Sequence, residues 1–442
     1  MKKEISLMWK LIIKNLWSRR KRNGWLFAEL VLVSIVTWVV LDPVLVLSYD
    51  RSLPLGYDAD RLCLIDVAFR NPQSPLYDSE ATDSASVADG YFRLLEQVRN
   101  HPEVEQAAPI LSFAYLNADG LSNSRIMTDT LKRGIAYVWF LPGQHFFETY
   151  GIRAIEGSAS EEELSKAAYG PNDWVVTRNL VENQLKDRPI SRLSVYSFAS
   201  DTQEDTVFYP IRGVMENVRY RSYWRPSPLV FIPDYAISTG TIRRSQAKLL
   251  LRLKPGVSHE RFLHDFRPWM VKNLRSGNLF GRAVYSYDKL LKDGAYSSGT
   301  DNKWRLNVAM AVFFGISLCL GVIGTFWLQT RKRSEEAGVM RSFGATPSHI
   351  LRMLLGEGAV LTTLAFLLGC GLYLQYAWKE GFYVGASWQD VDGGYWVSSF
   401  GSHFAVVSAV VYLLLLAVVL AGISIPAYGI SRVNPVDALR DE

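Results

Sequence analysis

Four long apolar runs decide what this chain can fold into. Residues 25–47 carry only Glu29 and Asp42 as charges, 306–328 and 404–425 carry none, and 350–376 carry only Arg352 and Glu357, near its start. About 20 mostly apolar residues suffice for a helix to cross the hydrocarbon core of a bilayer. The runs are 23, 23, 22 and 27 residues long in that same order, so each is predicted to be a transmembrane helix. The first run is not read as a cleaved signal. It follows a polar stretch of 24 residues, and the Leu47-Ser48-Tyr49-Asp50 sequence offers no small-x-small cleavage site.

The short flanks orient the helices. Lys and Arg number eight in residues 1–24, five in 329–352 and two in 429–442, against Lys379 alone in 379–402. Positive flanks stay in the cytoplasm, so both termini and the 329–349 loop are expected inside, and residues 48–303 and 377–403 outside. The net charge of +5 is not a nucleic-acid signal. Residues 49–303 hold 31 basic and 31 acidic side chains, and the whole surplus lies in the membrane-flanking remainder, where it serves topology and lipid contact.

The 48–303 segment is long enough for a packed extracytoplasmic domain of its own. Strands are predicted at 62–68, 174–177, 207–215, 229–233 and 247–253, and helices at 87–99, 178–185 and about 258–274. Tyr91, Leu94, Leu95 and Val98 share one helical face, and residues 70–88 read as a surface loop. The mixture predicts an α+β domain, divided in two lobes if the middle, about 110–230, forms its own core. The N-terminal segment 1–24 is amphipathic. Ile5, Met8, Trp9, Ile12, Ile13, Leu16 and Trp17 recur at helical spacing, which suits a basic helix lying at the inner headgroup layer. Residues 426–442 form a cytoplasmic tail.

Catalytic signatures are absent from the sequence. There is no G-x-x-x-x-G-K-[ST] loop, no H-E-x-x-H and no G-x-S-x-G. The three Cys and six His are scattered, which leaves no disulfide framework and no expected metal site. His259 and His264 beside Asp265 read as a solvated helix face. Glu29 and Asp42 sit near helix ends, where snorkelling is expected to keep them in contact with water. No catalytic residue and no cofactor are assigned to this chain.

The informative stretch is the 329–349 loop. A short helical piece is predicted from about Arg331 to Phe343. Gly344 suits a left-handed stop, Thr346 an N-cap and Pro347 the first helical position of the next helix. Such a stiffly connected charged element between two membrane helices suits force transmission from a cytoplasmic partner. Glu335, Glu336 and Arg341 are the candidate polar contacts. Gly338 and Gly344 are the candidates for close backbone approach, and Ala345 and Thr346 complete the element.

The run Glu336-Ala337-Gly338-x-x-Arg341-Ser342-x-Gly344-Ala345-Thr346, followed by an apolar helix bearing Glu357, resembles the signature of FtsX-like permeases of the MacB type. Asn434-Pro435-Val436-Asp437-Ala438-Leu439-Arg440 resembles that family's tail, and Lys14-Asn15-Leu16 its N-terminal pattern. Ala337 stands where the family carries a larger aliphatic residue. The resemblance implies a non-catalytic permease subunit of an ABC transporter in the bacterial inner membrane. It implies a homodimer, or a heterodimer with a related permease, and a separate ATP-binding subunit that carries ATP and Mg. It implies mechanical transmission to the outer domain for export or extraction of a periplasmic substrate, with a periplasmic adaptor or hydrolase as a possible outer partner. Two other readings stay open: a signalling permease regulating a cell-wall hydrolase, and a membrane-anchored receptor without an ATPase. Tyr220, Arg221, Tyr223, Trp224 and Arg225 form an aromatic and basic strip, a candidate outer contact surface.

Overall fold

The computed structural model describes residues 20–118, 122–128, 131–170, 172–184, 193–196, 207–331, 333–385 and 394–432. The amphipathic segment before residue 20 and the 434–440 tail motif lie outside them. The described residues form two compact units, one spanning Asp50–Asp301 and one built from the four long apolar helices with their connections.

From the N-terminus, helix α1 (Arg20–Ser52) leads to strand β1 (Leu62–Phe69), helix α2 (Ser84–Arg99) and β2 (Val104–Ile110). Next come β3 (Ser122–Thr128), β4 (Leu131–Phe140), β5 (Trp174–Thr177), β6 (Leu193–Tyr196), β7 (Val207–Tyr209), β8 (Ile211–Met215), β9 (Leu229–Pro233) and β10 (Lys248–Leu253), with short helical turns between some of them. Helix α3 (His259–Asn273), β11 (Arg275–Ser276), β12 (Leu279–Ser286) and helix α4 (Tyr287–Ser297) complete the unit. Four helices follow: α5 (Thr300–Arg331), α6 (Ser334–Ser342), α7 (Pro347–Glu380) and α8 (Phe400–Ser431).

The 50–301 unit is α+β and holds two sheets. The first, in the order β11-β12-β1-β10-β2, is antiparallel throughout and uses strands from both ends of the segment. Side chains alternate across a strand, and here both faces are covered. Cys63, Ile65, Val67, Leu249 and Leu251 pack with Tyr91, Leu94, Phe262 and Phe266 of α2 and α3. Leu62, Leu64 and Leu250 join Tyr57, Val138, Phe147, Tyr150, Phe231 and Tyr287 in a second core. The second sheet, in the order β7-β6-β3-β4-β9-β5-β8, comes from the middle of the segment and mixes parallel pairs (β4 with β9, β5 with β8) with antiparallel ones.

Three sequence expectations change here. The single strand expected over 207–215 breaks at Pro210, whose missing N–H cannot serve a ladder. Its halves, β7 and β8, stand at opposite ends of the strand order although Pro210 alone joins them. The two edge strands of the sheet therefore meet at Pro210. The loop expected over 70–88 ends early, because Asp83 caps α2: its Oδ1 accepts from Ala85 N at 3.0 Å and Ser86 N at 2.9 Å. Of the strip at 220–225, Tyr220 and Arg225 are buried, and Arg221, Tyr223 and Trp224 are half-buried. Tyr220 is 1% exposed and Arg225 2%. Arg225 Nε donates to Asp50 Oδ1 at 2.6 Å, and Arg221 lies half-buried over the Trp224 ring at 4.7 Å, donating to the Tyr223 hydroxyl at 2.7 Å. Arg219 beside them donates to Leu53 O at 2.8 Å through its side chain and to Leu55 O at 2.9 Å through its backbone. The strip grips the chain where it leaves α1, because the charge of Asp50 has to be neutralised where it is buried.

The helical unit carries four spans with mean hydropathies of 2.5, 2.3, 1.8 and 2.9. The helices outrun the apolar runs: α1, α5, α7 and α8 have 33, 32, 34 and 32 residues. At 1.5 Å per residue each is roughly 50 Å long against a hydrocarbon core of about 30 Å, so their polar ends continue past it. The packed core lies between α1, α7 and α8, with Leu26, Leu30, Ile350, Leu354, Leu361, Val419 and Ile423 at one level and Trp38, Phe366, Tyr373, Val407 and Val411 at another. Close approach depends on small residues. A Cβ on Gly358 would fall 2.1 Å from Ile423 Cδ1, and one on Gly369 2.8 Å from Ser34 Cβ.

Asp42 does not snorkel. It is buried, accepting from Tyr383 N at 3.1 Å through Oδ2, and its Oδ1 lies 2.6 Å from Nε2 of buried His403. His403 Nδ1 is 3.2 Å from Val397 O. The pair ties α1 to α8 beside the stacked rings of Trp38 and Phe382.

Asp66 gives the 50–301 unit an acid-sensitive element. Burial raises its carboxyl pKa, but hydrogen bonds and charge from Lys248, with hydrogen bonds from Arg282 and Tyr285, outweigh this and hold it below the ordinary 3.8. A depressed carboxylate contributes stability above its unfolded value and loses it as pH falls through the folded value. In chemical unfolding of the unit at a series of pH values, Asp66→Asn is expected to flatten the acid limb below about pH 4 and to lower stability at neutral pH by about 1–3 kcal/mol.

Candidate functional site

The candidate element is α6, with the turns that join it to α5 and α7. Its end is a glycine stop. Gly344 has φ +90°, its N–H donates to Arg341 O at 2.9 Å, and Ala345 N donates to Met340 O at 3.0 Å. These bonds are the paired closing bonds of a Schellman turn. Helix α7 then restarts at once. Thr346 is extended, its Oγ1 accepts from His349 N at 3.3 Å, and Pro347 fills the first helical position. Chain punctuation alone thus fixes the angle between α6 and α7.

One face of α6 is turned into the helical unit. Ala337 is 4% exposed and packs with Leu26, Leu30, Ile350, Leu354, Ala427 and Ile430, with Met340 and Ala345 partly buried against them. The opposite face is open. Val339 is 42% exposed and Phe343 87%. At the start of α6, Arg333 pairs through Nη1 with Glu357 Oε2 of α7, and its Nε lies 3.7 Å from Glu336 Oε2.

The sequence-predicted residues divide accordingly. Glu336 is half-buried and faces Arg333, and Arg341 is half-buried near the end of α6. Glu335 lies in the first turn of α6, with its side chain outside the described set. Thr346 is exposed but spent on capping. Gly338 does not offer its backbone to a partner. It is buried beside Ala337 on the packed face. Gly344 is exposed, and a Cβ there would meet nothing within 4 Å, so its requirement is the positive φ and not close approach. Sequence reasoning passed over Phe343 and Val339, the two apolar side chains that α6 presents outward. A helical wheel of 334–343 separates them from Ala337 and would have found them. It also missed the Arg333–Glu357 pair, which joins residues 24 apart in the chain. Among the described residues no group of three His, Cys, Asp or Glu side chains is placed to hold a metal.

With this geometry in view, residues 308–435 match the family model of the FtsX-like permease C-terminal region. They contain α6, α7, α8 and most of α5. Over 135 residues the chain is 31% identical to YknZ of Bacillus subtilis (strain 168), described as an uncharacterized ABC transporter permease. That match covers 29% of this chain and 30% of the relative's length. Among solved structures, the periplasmic region of MacB from Actinobacillus actinomycetemcomitans aligns at TM-score 0.30 and 8% identity, over 54% of this chain and 94% of that one. The extracellular domain of the noncanonic ABC-type transporter YknZ from Gram-positive bacteria aligns at TM-score 0.27 and 6% identity, over 50% of this chain and 100% of that one.

The turn geometry carries a direct test. With open space around Gly344, the whole penalty of adding a side chain comes from the left-handed backbone. Gly344→Ala is expected to cost about 1–2 kcal/mol, Gly344→Asn less and Gly344→Val more. The order Val, Ala, Asn in lost amide protection at 341–345, read by hydrogen exchange, checks it.

Proposed function

We propose that this chain is the permease subunit of an ABC transporter of the FtsX/MacB type, driven by a separate ATP-binding subunit that docks on α6. The chain sits in the bacterial inner membrane with α6 and both termini in the cytoplasm and the 50–301 domain in the periplasm. It works as a dimer. ATP-driven closure of the partner subunits pushes α6, and the movement reaches the outer domain through α1 and α5, powering export or extraction of a periplasmic substrate.

One observation carries this reading. A short helix, fixed at both ends and packed on one face, presents Phe343 and Val339 where only a partner or water can meet them. An exposed large aromatic on a charged element is a docking anchor more than a lipid contact. The basic flanks of α5 and α6 support the cytoplasmic placement. The sequence contains no phosphate-binding loop, in keeping with an ATPase on another chain. Helix α5 presents Leu306, Phe313, Ile316 and Leu320 outward along its apolar length, which suits lipid or a second permease in the membrane plane.

The test is co-purification with the co-expressed ATP-binding subunit. Loss of a buried phenylalanine contact is worth about 1.5–3 kcal/mol, so Phe343→Asp is expected to weaken the complex by roughly tenfold to a hundredfold or more. Unchanged association and unchanged ATP turnover discard the docking reading. A membrane-impermeant maleimide that labels Phe343→Cys in intact spheroplasts overturns the orientation.

A further inference from the structure

We infer that Arg333 and Glu357 are positioning residues that lock α6 to α7, so that a push on α6 moves α7 with it instead of being lost in the link to α5. The inference rests on the reading of α6 as the docking element.

Helix α5 ends at Arg331 and α6 begins at Ser334. Only Lys332 and Arg333 lie between the two helices. Arg333 occupies the N-cap position of α6, yet its side chain makes no capping bond there. It reaches instead to Glu357, eleven residues into α7. The lengths agree. Nine residues of α6 rise about 14 Å, and the stretch from Pro347 to Glu357 rises about 15 Å. Helix α6 therefore runs back along the first turns of α7 and is fastened at both ends: by the Gly344–Thr346 turn at one and by the Arg333–Glu357 pair at the other. Ala337 closes the middle against Ile350 and Leu354.

The pair differs from a surface salt bridge. The two side chains are 13% and 6% exposed, in surroundings supplied by apolar helices. An exposed pair opens at little cost. Here both side chains are nearly buried, so separating the two charges costs more than it would at the surface. Glu336 holds the other side of the guanidinium at 3.7 Å and keeps it aimed. Glu29, the other acidic side chain of this level, is not part of the lock; its carboxylate lies 3.4 Å from Thr325 Oγ1 of α5.

The experiment is hydrogen exchange on the full-length chain in nanodiscs, for wild type, Arg333→Gln, Glu357→Gln, the conservative Arg333→Lys, and the reversed pair Arg333→Glu with Glu357→Arg. Both Gln variants are expected to raise exchange across 337–343 by about tenfold or more while 361–377 stays protected. Lys should fall between them and wild type, and the reversed pair should restore protection. Wild-type exchange at 337–343 in both Gln variants overturns the lock. If a Gln variant also loses protection at 361–377, Arg333→Lys decides: raised exchange at 337–343 alone supports the lock, and wild-type exchange overturns it. In the complex with the ATP-binding subunit, Glu357→Gln is expected to keep the partner bound and to lose the ATP-dependent change in exchange across 50–301. Retention of that change overturns the role. A complex that survives Phe343→Asp would defeat the docking reading and leave the exchange result on the lock intact.

Discussion

A bilayer offers its contents no hydrogen bonds, and the structure of the helical unit follows from that. Each crossing segment must satisfy its own backbone, so the only available form is a helix long enough to reach water at both ends. The same constraint sorts the side chains. Charges that remain inside are there in pairs: Asp42 with His403, and Arg333 with Glu357. Between those two levels the helices meet through small residues and apolar packing, with Trp38 Nε1 donating to Ser408 Oγ at 3.1 Å and the Thr363 and Tyr412 hydroxyls 3.0 Å apart. Without a hydrophobic drive between helices in lipid, close van der Waals contact and a few internal polar ties have to set their arrangement.

The two polar ties sit at different places along α7 and α8, and they bind different partners. Asp42–His403 joins α1 to the start of α8, with the backbone of Tyr383 after α7 as a third point. Arg333–Glu357 joins the short helix α6 to α7. In the most apolar stretch of α5 no described residue is buried within the chain, and Thr325 Oγ1 meets the Glu29 carboxylate of α1 at 3.4 Å. In the proposed mechanism this division is useful. The α1–α7–α8 core is the firm part, and α5 is the member with most freedom to shift against its surroundings.

Much of this was legible in the sequence, because it depends on local rules. The apolar runs gave the spans, Gly344 gave the stop, and Thr346-Pro347 gave the restart. The strands read at 62–68 and 247–253 are β1 and β10, while their antiparallel pairing came only with the structure. What was not legible depends on who meets whom. The inward orientation of Gly338 follows from which face of α6 meets α7. The pairing of Asp42 with His403 joins residues 361 apart, and nothing in either neighbourhood announces it. The strip at 220–225 has the composition of a contact surface, yet its Arg225 is consumed by Asp50. An acidic residue at the foot of a membrane helix was the available clue that a buried cation was needed nearby.

Pro210 has a consequence for how the 50–301 unit meets other proteins. Because β7 and β8 are the two ends of one strand order and Pro210 alone joins them, the two edge strands of that sheet follow each other directly in the chain. Exposed edges are templates onto which foreign backbone can add. Here the break at Pro210 leaves edge strands of only three and five residues, so an extended peptide would find little ladder to add to on either one.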